Sequence, residues 1–357
     1  MMGIIDRYIG KTIFAATFLS LFILIGLSSV IKFVEQMKNV GQGSYDVWSA
    51  GYFVLLKMPV EITTFFPMAA LIGALIGLGT LASSSELVVM QAAGLSKLRI
   101  AGSVLKTAIP MVLIVMFLGE FIAPETDKEA YAMRSEARHG QSEIMKQYGV
   151  WVKDGDAFIS IGRMNDKSEL FDIQLYFFDE MQQLNSALLA REGVYEQEQG
   201  GWLLTNVSRS QFLKHKIETS IMEHYLWETQ LTPKKLEVVL SDPEKMSMRD
   251  VYNYIHYLED NDQDANSYWL TFWRKAVLPF TVVVMMLLSV SFIFGGLRSV
   301  SMGTRLIFGI ASGFLFHVSG ELFGPASLVF GLPPILGALL PSLFVLAIAM
   351  YLLKRQS

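Results

Sequence analysis

Two side chains at helical spacing offer the clearest candidate for chemistry inside the apolar part of the chain. His317 and Glu321 are four residues apart, a spacing at which two neighbouring side chains on a helix could bind a metal ion or pass a proton. A metal site needs further ligands, and none stands nearby in the sequence. The alternatives are a mutual hydrogen bond or a place in the lining of a cavity. No phosphate-binding loop and no readable nucleophile arrangement is present, so the sequence gives no case for an enzyme.

Basic residues near the ends of apolar segments form a second candidate site. Lys32 and Lys38 follow the first apolar run, and Arg134 follows the third. The two lysines either extend their ammonium groups to the membrane interface or bind an anionic ligand such as a phosphorylated lipid headgroup. Arg134 lies either on a solvated linker helix or in contact with the same ligand.

Long apolar runs determine which elements position these residues. The 357 residues are 52% hydrophobic with a mean hydropathy of +0.40. A helix needs about 20 apolar residues to cross the roughly 30 Å hydrocarbon core, and strand-like alternation is absent from these runs. The sequence predicts a polytopic α-helical membrane protein with six spans, at 12–31, 62–85, 100–123, 276–297, 306–320 and 333–353.

The distribution of lysine and arginine predicts the orientation. Basic residues precede the first span, follow the last, and lie in two of the connections between spans; these are Arg7, Lys11, Lys97, Arg99, Arg298, Arg305, Lys354 and Arg355. The positive-inside rule then places both termini in the cytoplasm. Lys32, Lys38 and Lys57 are exceptions on the opposite side. No cleavable signal sequence is expected, because the first apolar run is too long and no cleavage site follows it.

A polar segment, 124–268, separates the third span from the fourth. Stretches such as AFISIGRM (157–164) and DIQLYFFD (172–179) alternate apolar and polar residues. This pattern predicts an all-β domain, as a β-sandwich, jelly roll or open barrel, outside the cytoplasm. Ser247 with Asp250 predicts the start of a linker helix. The chain has no cysteine, so the domain must rely on its core and strand pairing.

The sequence SSSELVVMQAAGLSKLR (83–99) is too polar for a span and too apolar for a free loop. Serines followed by Glu86 predict a helix start, and Gly94 predicts its end. Leu87, Met90 and Gln91 recur at helical spacing. The short amphipathic helix either lies on the membrane surface or docks into a groove of a partner protein.

Gly73 and Gly77 are four residues apart within the second span. Small residues at this spacing allow another helix to approach closely. We therefore expect the second span to pack tightly against a neighbouring span.

Several longer stretches resemble one transporter family. They are DRYIGKTIF (6–14), FFPMAALIGALIGLGTLASSSELVVMQAAG (65–94), SFIFGGLRSVSMG (291–303) and FGPASLVFGLPPILGALLPS (323–342). Together they resemble the LptF/LptG permeases of the bacterial lipopolysaccharide-export ABC transporter, and the G-type more than the F-type. The resemblance extends over nearly the whole chain and is loosest in the polar insert.

The resemblance implies a non-catalytic permease subunit of the inner membrane, without cofactor, metal or nucleic acid. Its implied partners are an F-type permease paralogue, a cytoplasmic ATPase dimer, a single-span LptC-like protein and lipopolysaccharide. Residues 84–95 correspond to the coupling helix, with Glu86, Leu87, Met90, Gln91 and Gly94 toward the ATPase. Lys32, Lys38 and Arg134 match basic residues for the lipid A phosphates, although Asn39 stands where a second basic residue is frequent.

The implied domain order is 1–123 for the first three spans, 124–268 for a periplasmic β-jelly roll with its linker helix, and 269–357 for the last three spans. Two other functions remain open from the residues alone. An ion-coupled secondary transporter would use His317 and Glu321, but the inverted repeats typical of that class are not visible. A membrane-anchored periplasmic scaffold would need one span and not six.

Overall fold

The architecture comes from a computed structural model that describes residues 3–139, 143–144, 150–154, 157–165, 169–179, 183–197, 199–213, 216–229, 231–233, 236, 243–261, 263–295 and 301–354. Arg298 and Arg355, which contributed to the predicted orientation, lie outside the described residues. The chain divides into two compact units. The membrane unit comprises Met1–Glu35, Lys57–Thr126 and Asn266–Ser357, and the inserted unit comprises Gln36–Leu56 and Asp127–Ala265.

Within the described residues, six helical segments are long and apolar enough to cross a membrane, which confirms the predicted helical class. The helices are α1 (Ile4–Gln36), α2 (Val47–Ser83), α3 (Glu86–Ala92), α4 (Lys97–Phe117), α5 (Ala123–His139), α6 (Met248–Asp260), α7 (Asn266–Phe294), α8 (Met302–Val329) and α9 (Pro334–Lys354). A π-helical turn, Leu118–Ile122, joins α4 to α5, so the third span continues as one helix beyond its apolar part. A helix satisfies most of its backbone hydrogen-bonding groups internally, which lipid requires.

Close packing between α1 and α2 depends on the two glycines that the sequence singled out. A Cβ at Gly73 would collide with the backbone of Thr17, and a Cβ at Gly77 would lie 3.0 Å from the Cα of Ile13. This confirms the expected close approach of a neighbouring span. On α1, Ile9, Ile13 and Ser20 are buried at helical spacing. Because the backbones approach so closely here, larger side chains at either glycine would separate the two helices.

The described residues of the inserted unit include an antiparallel sheet. Its strands are β1 (Glu143–Ile144), β2 (Val150–Asp154), β3 (Ala157–Asn165), β4 (Leu170–Phe178), β5 (Leu184–Glu196), β6 (Gly201–Leu213) and β7 (Lys216–Glu228). From β3 to β7 each strand pairs with the next, while β1 and β2 both pair with β3. The all-β class of the insert is thereby confirmed.

The core of the sheet follows from the alternation in its sequence. Ile159 and Ile161 on β3 are fully buried, as are Ile173 and Leu175 on β4. Trp202 on β6 is also buried, and its indole N–H donates to the carbonyl of Leu231 at 2.7 Å. Buried alternate side chains fix the register, since a shift by one residue would expose them.

The linker helix α6 starts where the sequence predicts. The hydroxyl of Ser247 accepts a hydrogen bond from the backbone N–H of Asp250 at 3.0 Å and donates to the Asp250 carboxylate at 2.7 Å. The first of these bonds satisfies one of the N–H groups that have no partner within the helix, and the second holds the hydroxyl in place for it.

Candidate functional site

The short helix α3, Glu86–Ala92, is shorter than the predicted segment 84–95. Ser85 precedes it in the left-handed conformation, at φ 65°, and its hydroxyl does not cap the helix. At the other end Gly94 has φ +92°, its N–H donates to the carbonyl of Gln91, and the next N–H, that of Leu95, donates to the carbonyl of Met90. This is the pattern of a Schellman motif, so Gly94 ends the helix as predicted.

The two faces of α3 differ in their surroundings. Leu87 is buried in the hydrophobic core of the membrane unit, and Met90 packs against that core. Val88 and Val89 are 50% and 66% exposed. These two valines therefore form the exposed apolar surface of α3, and neither was among the ATPase-facing residues predicted from the sequence. Four consecutive apolar residues, 87–90, give no periodic signal that separates the inner from the outer face.

Glu86 begins α3 and is bonded to the first span. Its carboxylate accepts hydrogen bonds from the hydroxyl of Tyr8 on α1 at 2.8 Å and from the hydroxyl of Ser84 at 2.8 Å. Tyr8 was not a candidate from the sequence, because a bond between residues 78 positions apart has no local signal. The bond connects the start of α1 directly to α3.

A second polar contact fastens the same end of α1. Asp6 is buried, and its carboxylate accepts hydrogen bonds from the hydroxyl of Ser103 and from the ammonium of Lys106, the latter at 2.7 Å. Both donors belong to α4. A buried carboxylate is stable only when its oxygens are paired, as they are here. The start of α1 is thus bonded to both α3 and α4.

Lys32, a predicted ligand of phosphate, is paired within the chain. Its ammonium contacts one carboxylate oxygen of Glu61 on α2, and the hydroxyl of Ser28 donates to the other oxygen at 2.6 Å. The side chain of Lys32 is 29% exposed and that of Glu61 is 10% exposed. Glu61 was not among the candidates from the sequence, although a carboxylate within a span is itself a signal, since such groups are costly unless paired.

Lys38, the second predicted ligand, belongs to the inserted unit. It is exposed in the short turn Met37–Asn39, and within the part of the chain that the structure describes no acidic side chain pairs with its ammonium. Gln42 accepts from Arg138 Nε at 2.8 Å through its side-chain oxygen and donates to the carbonyl of Lys38 at 3.2 Å. Gln42 thus holds Arg138 beside the turn that carries Lys38.

The turn after Lys38 also contacts the end of α5. Both the N–H and the hydroxyl of Ser44 donate to the carbonyl of Ala137, at 2.6 and 3.0 Å. A Cβ at Gly43 would lie 2.5 Å from that same oxygen, so only glycine allows this approach. The contact satisfies one of the carbonyls that a helix end leaves without a partner.

Arg134, the third predicted ligand, is held by aromatic rings. Its guanidinium lies 4.7 Å from the ring centre of Tyr131 and 5.0 Å from that of Phe53. The ammonium of Lys245 lies 5.1 Å from the ring of Tyr131 as well. Rings stabilise cations through their negative faces, which allows two positive groups to share one tyrosine.

The buried Tyr45 hydroxyl lies close enough to two arginines for their charges to affect its pKa. Burial raises the pKa of its hydroxyl, whereas the positive charges of Arg134 and Arg138 act in the lowering direction. Both guanidinium groups therefore act on the same ring. We call the set Lys38, Arg134, Arg138 and Lys245 the basic cluster of the inserted unit.

His317 and Glu321, the candidate pair for ion or metal chemistry, both lie on α8. His317 is exposed, and Glu321 lies 3.9 Å from a guanidinium nitrogen of Arg274 on α7. Arg274 also donates to the carbonyl of Gly320 at 2.9 Å. Among the residues that the structure describes, no group of three His, Cys, Asp or Glu side chains is placed to hold a metal ion.

Comparison with known proteins gives one consistent result. Residues 7–355 match the family described as "Lipopolysaccharide export system permease LptF/LptG". The chain is 48% identical over 356 residues to the lipopolysaccharide export system permease protein LptG of Escherichia coli K12, covering 99% of each chain. It is 46% identical to the LptG protein of Haemophilus influenzae, covering 100% of this chain and 99% of the relative.

Proposed function

The chain belongs to the LptF/LptG family of lipopolysaccharide export permeases, and from this premise we propose that it is a transmembrane subunit of an ABC transporter. It takes lipopolysaccharide from the inner membrane and moves it toward the outer membrane with energy from ATP that a partner subunit hydrolyses. The match over 99% of both chains carries this proposal. The subunit is a multi-pass protein of the inner membrane with no catalysis of its own.

The proposed topology follows the positive-inside rule. Both termini and α3 lie in the cytoplasm, and the inserted unit lies in the periplasm. In this arrangement the domain limits are 1–123, 124–268 and 269–357. Residues Gln36–Leu56 belong with the periplasmic part, as their assignment to the inserted unit supports.

The proposed coupling element is α3, which docks into a groove on the cytoplasmic ATPase dimer. The exposed Val88 and Val89 supply the apolar contact for a helix-in-groove interface. Glu86 supplies a charge for a basic residue of the ATPase. Leu87 and Met90 pack on the bundle, and Gly94 fixes the end of α3, so a displacement of α3 moves the spans with it. Gln91 is proposed to contact the ATPase.

The proposed substrate contacts are basic residues that meet the phosphates of lipid A. Lys38 is exposed, and Arg134 is held by two rings with Arg138 and Lys245 nearby. Ammonium and guanidinium groups bind phosphate through charge-assisted hydrogen bonds. Lys32 is the third contact, although in the free chain it is paired with Glu61.

The proposed partners in the membrane are an F-type permease paralogue and a single-span LptC-like protein beside the first span. Support for a neighbour at the first span comes from α1, where apolar side chains such as Phe18, Phe22 and Leu27 are more than 60% exposed. Lipid or another helix must cover such a surface.

Co-purification tests the proposal. The full chain, expressed with its neighbours in a native membrane, is expected to retain an ATPase and an F-type permease through affinity and size-exclusion steps. A chain that purifies alone, and whose substrate transport follows an ion gradient without ATP, would be an ion-coupled secondary transporter instead.

A further inference from the structure

Lys32 on the first span and Glu61 on the second form an ion pair, and a third side chain also bonds to the carboxylate. Ser28 and Lys32 are one helical turn apart on α1, and both reach the carboxylate of Glu61 on α2. Each carboxylate oxygen therefore has its own donor. Glu61 is the more buried partner, at 10% side-chain exposure against 29% for Lys32.

The two partners are not equally satisfied by this contact. A carboxylate accepts through its two oxygens, and here both are bonded. An ammonium has three N–H donors, and Glu61 takes one of them. Lys32 is partly exposed, so a second anion can reach its remaining N–H donors. The positive charge that this anion meets is already neutralised by Glu61.

Lys38 provides a contrast. Among the described residues no acidic side chain pairs with it, whereas Lys32 is neutralised by Glu61. An anion that reaches Lys38 gains the full attraction of a cation. An anion that reaches Lys32 first has to displace or share a carboxylate, and like charges near one another raise the free energy of the bound state.

We propose that Glu61 is a specificity-determining counter-ion that competes with a substrate phosphate for Lys32. This inference rests on the proposed contact of Lys32 with a lipid phosphate and extends it. When the phosphate binds, the ammonium turns to it, and Glu61 keeps the hydrogen bond from Ser28. When the phosphate leaves, the ion pair between α1 and α2 forms again. Because the unbound state regains this pair, net binding of the phosphate is weaker than binding to a lysine without a counter-ion, which favours release of the substrate.

The test measures the apparent Kd of the purified transporter complex in phosphatidylcholine nanodiscs. The two probes are lipid A with both phosphates and lipid A from which the phosphates have been removed. The variant Glu61→Gln retains the size of the side chain and an acceptor for Ser28 but removes the competing charge. We expect its apparent Kd for the phosphorylated probe to fall about tenfold, with no change for the dephosphorylated probe.

Further variants separate competition from packing. Lys32→Gln is expected to raise the apparent Kd for the phosphorylated probe, and the double variant with Glu61→Gln is expected to match it. Ser28→Ala removes the hydrogen bond that Glu61 keeps when the phosphate is bound, so it should raise the apparent Kd for the phosphorylated probe. This variant tests the inference even if Glu61→Gln reduces the yield of folded protein. Glu125→Gln, an exposed carboxylate at the start of α5, is the matched control and should change nothing.

Two results would overturn the inference in distinguishable ways. If Lys32→Gln weakens binding while Glu61→Gln leaves it unchanged or weakens it for both probes, Glu61 only stabilises the helix pair and the proposed phosphate contact stands. If Lys32→Gln leaves binding of the phosphorylated probe unchanged, the phosphate contact of Lys32 fails together with the inference.

Discussion

The hydroxyl of Tyr8 lies 2.8 Å from the carboxylate of Glu86, and this hydrogen bond joins the first span to the short helix α3. Residues 6 and 8 together bond α1 to both α3 and α4, because Asp6 accepts from Ser103 and Lys106. Movement of α3 would therefore reach α1 without passing through the apolar core. In the proposed transporter this hydrogen bond joins the coupling helix to the span that carries Lys32.

Removing the Tyr8 hydroxyl is expected to weaken this connection. Tyr8→Phe deletes one hydrogen bond to a charged acceptor while leaving the ring in place. ATP hydrolysis by the assembled complex should continue, but the lipopolysaccharide released per ATP should fall several-fold. Tyr52→Phe is the matched control, since the Tyr52 hydroxyl donates to Glu129 at 3.0 Å in the other unit. Equal release per ATP in the two variants would contradict a coupling role for Tyr8.

The exposed face of α3 is expected to determine ATPase association. Val88→Asp with Val89→Asp places two charges on the proposed apolar contact, and the permease should lose the ATPase on size-exclusion chromatography while remaining inserted. Val329→Asp, at a residue that is 83% exposed at the end of α8, should retain the ATPase. Undiminished ATPase recovery with the double variant would exclude these valines from the interface.

Leu87→Ala should behave differently from the valine variants. Leu87 is only 3% exposed within the core of the membrane unit, so its truncation leaves a cavity and costs about 2–5 kcal/mol of stability. The measurement is the thermal unfolding midpoint in detergent, which should fall for Leu87→Ala and stay unchanged for Val89→Ala. A stable Leu87→Ala variant that fails to retain the ATPase would place Leu87 in the interface.

Gly73→Ala is expected to separate α1 from α2, because its Cβ would collide with the Thr17 backbone. The thermal unfolding midpoint should fall by several degrees, although alanine raises helix propensity by about 1 kcal/mol. Gly26→Ala provides the control, since a Cβ at Gly26 on α1 meets no atom within 4 Å. A midpoint for Gly73→Ala equal to that of the control would contradict the close packing.

The sequence predicted the features that depend on local pattern. Apolar run length gave the six spans, alternation gave the sheet, and Ser247 and Gly94 gave two helix ends. These signals are contained within a few neighbouring residues. The small-residue spacing of Gly73 and Gly77 likewise indicated close packing, although not which helix would approach.

The features that the sequence did not predict depend on contacts between distant segments. Neither Tyr8 nor Glu61 has a local signal for its partner, since each bond joins different helices. The residues predicted to face the ATPase were Glu86, Leu87, Met90, Gln91 and Gly94. Of these, Leu87 is buried and Met90 packs on the core, whereas Val88 and Val89 are the exposed apolar pair. Which side of a seven-residue helix faces the bundle is decided by the helices it packs on. Whether the selected residues contact ATPase or substrate stays a prediction.

The most direct test of the account is ATP-dependent release of lipopolysaccharide from proteoliposomes. These would contain the full chain with its F-type permease paralogue and the ATPase, and a soluble acceptor outside would collect the lipid. The account predicts release that requires ATP and persists when an ionophore abolishes ion gradients. Release that continues without ATP, and that stops when the gradients are removed, would contradict it.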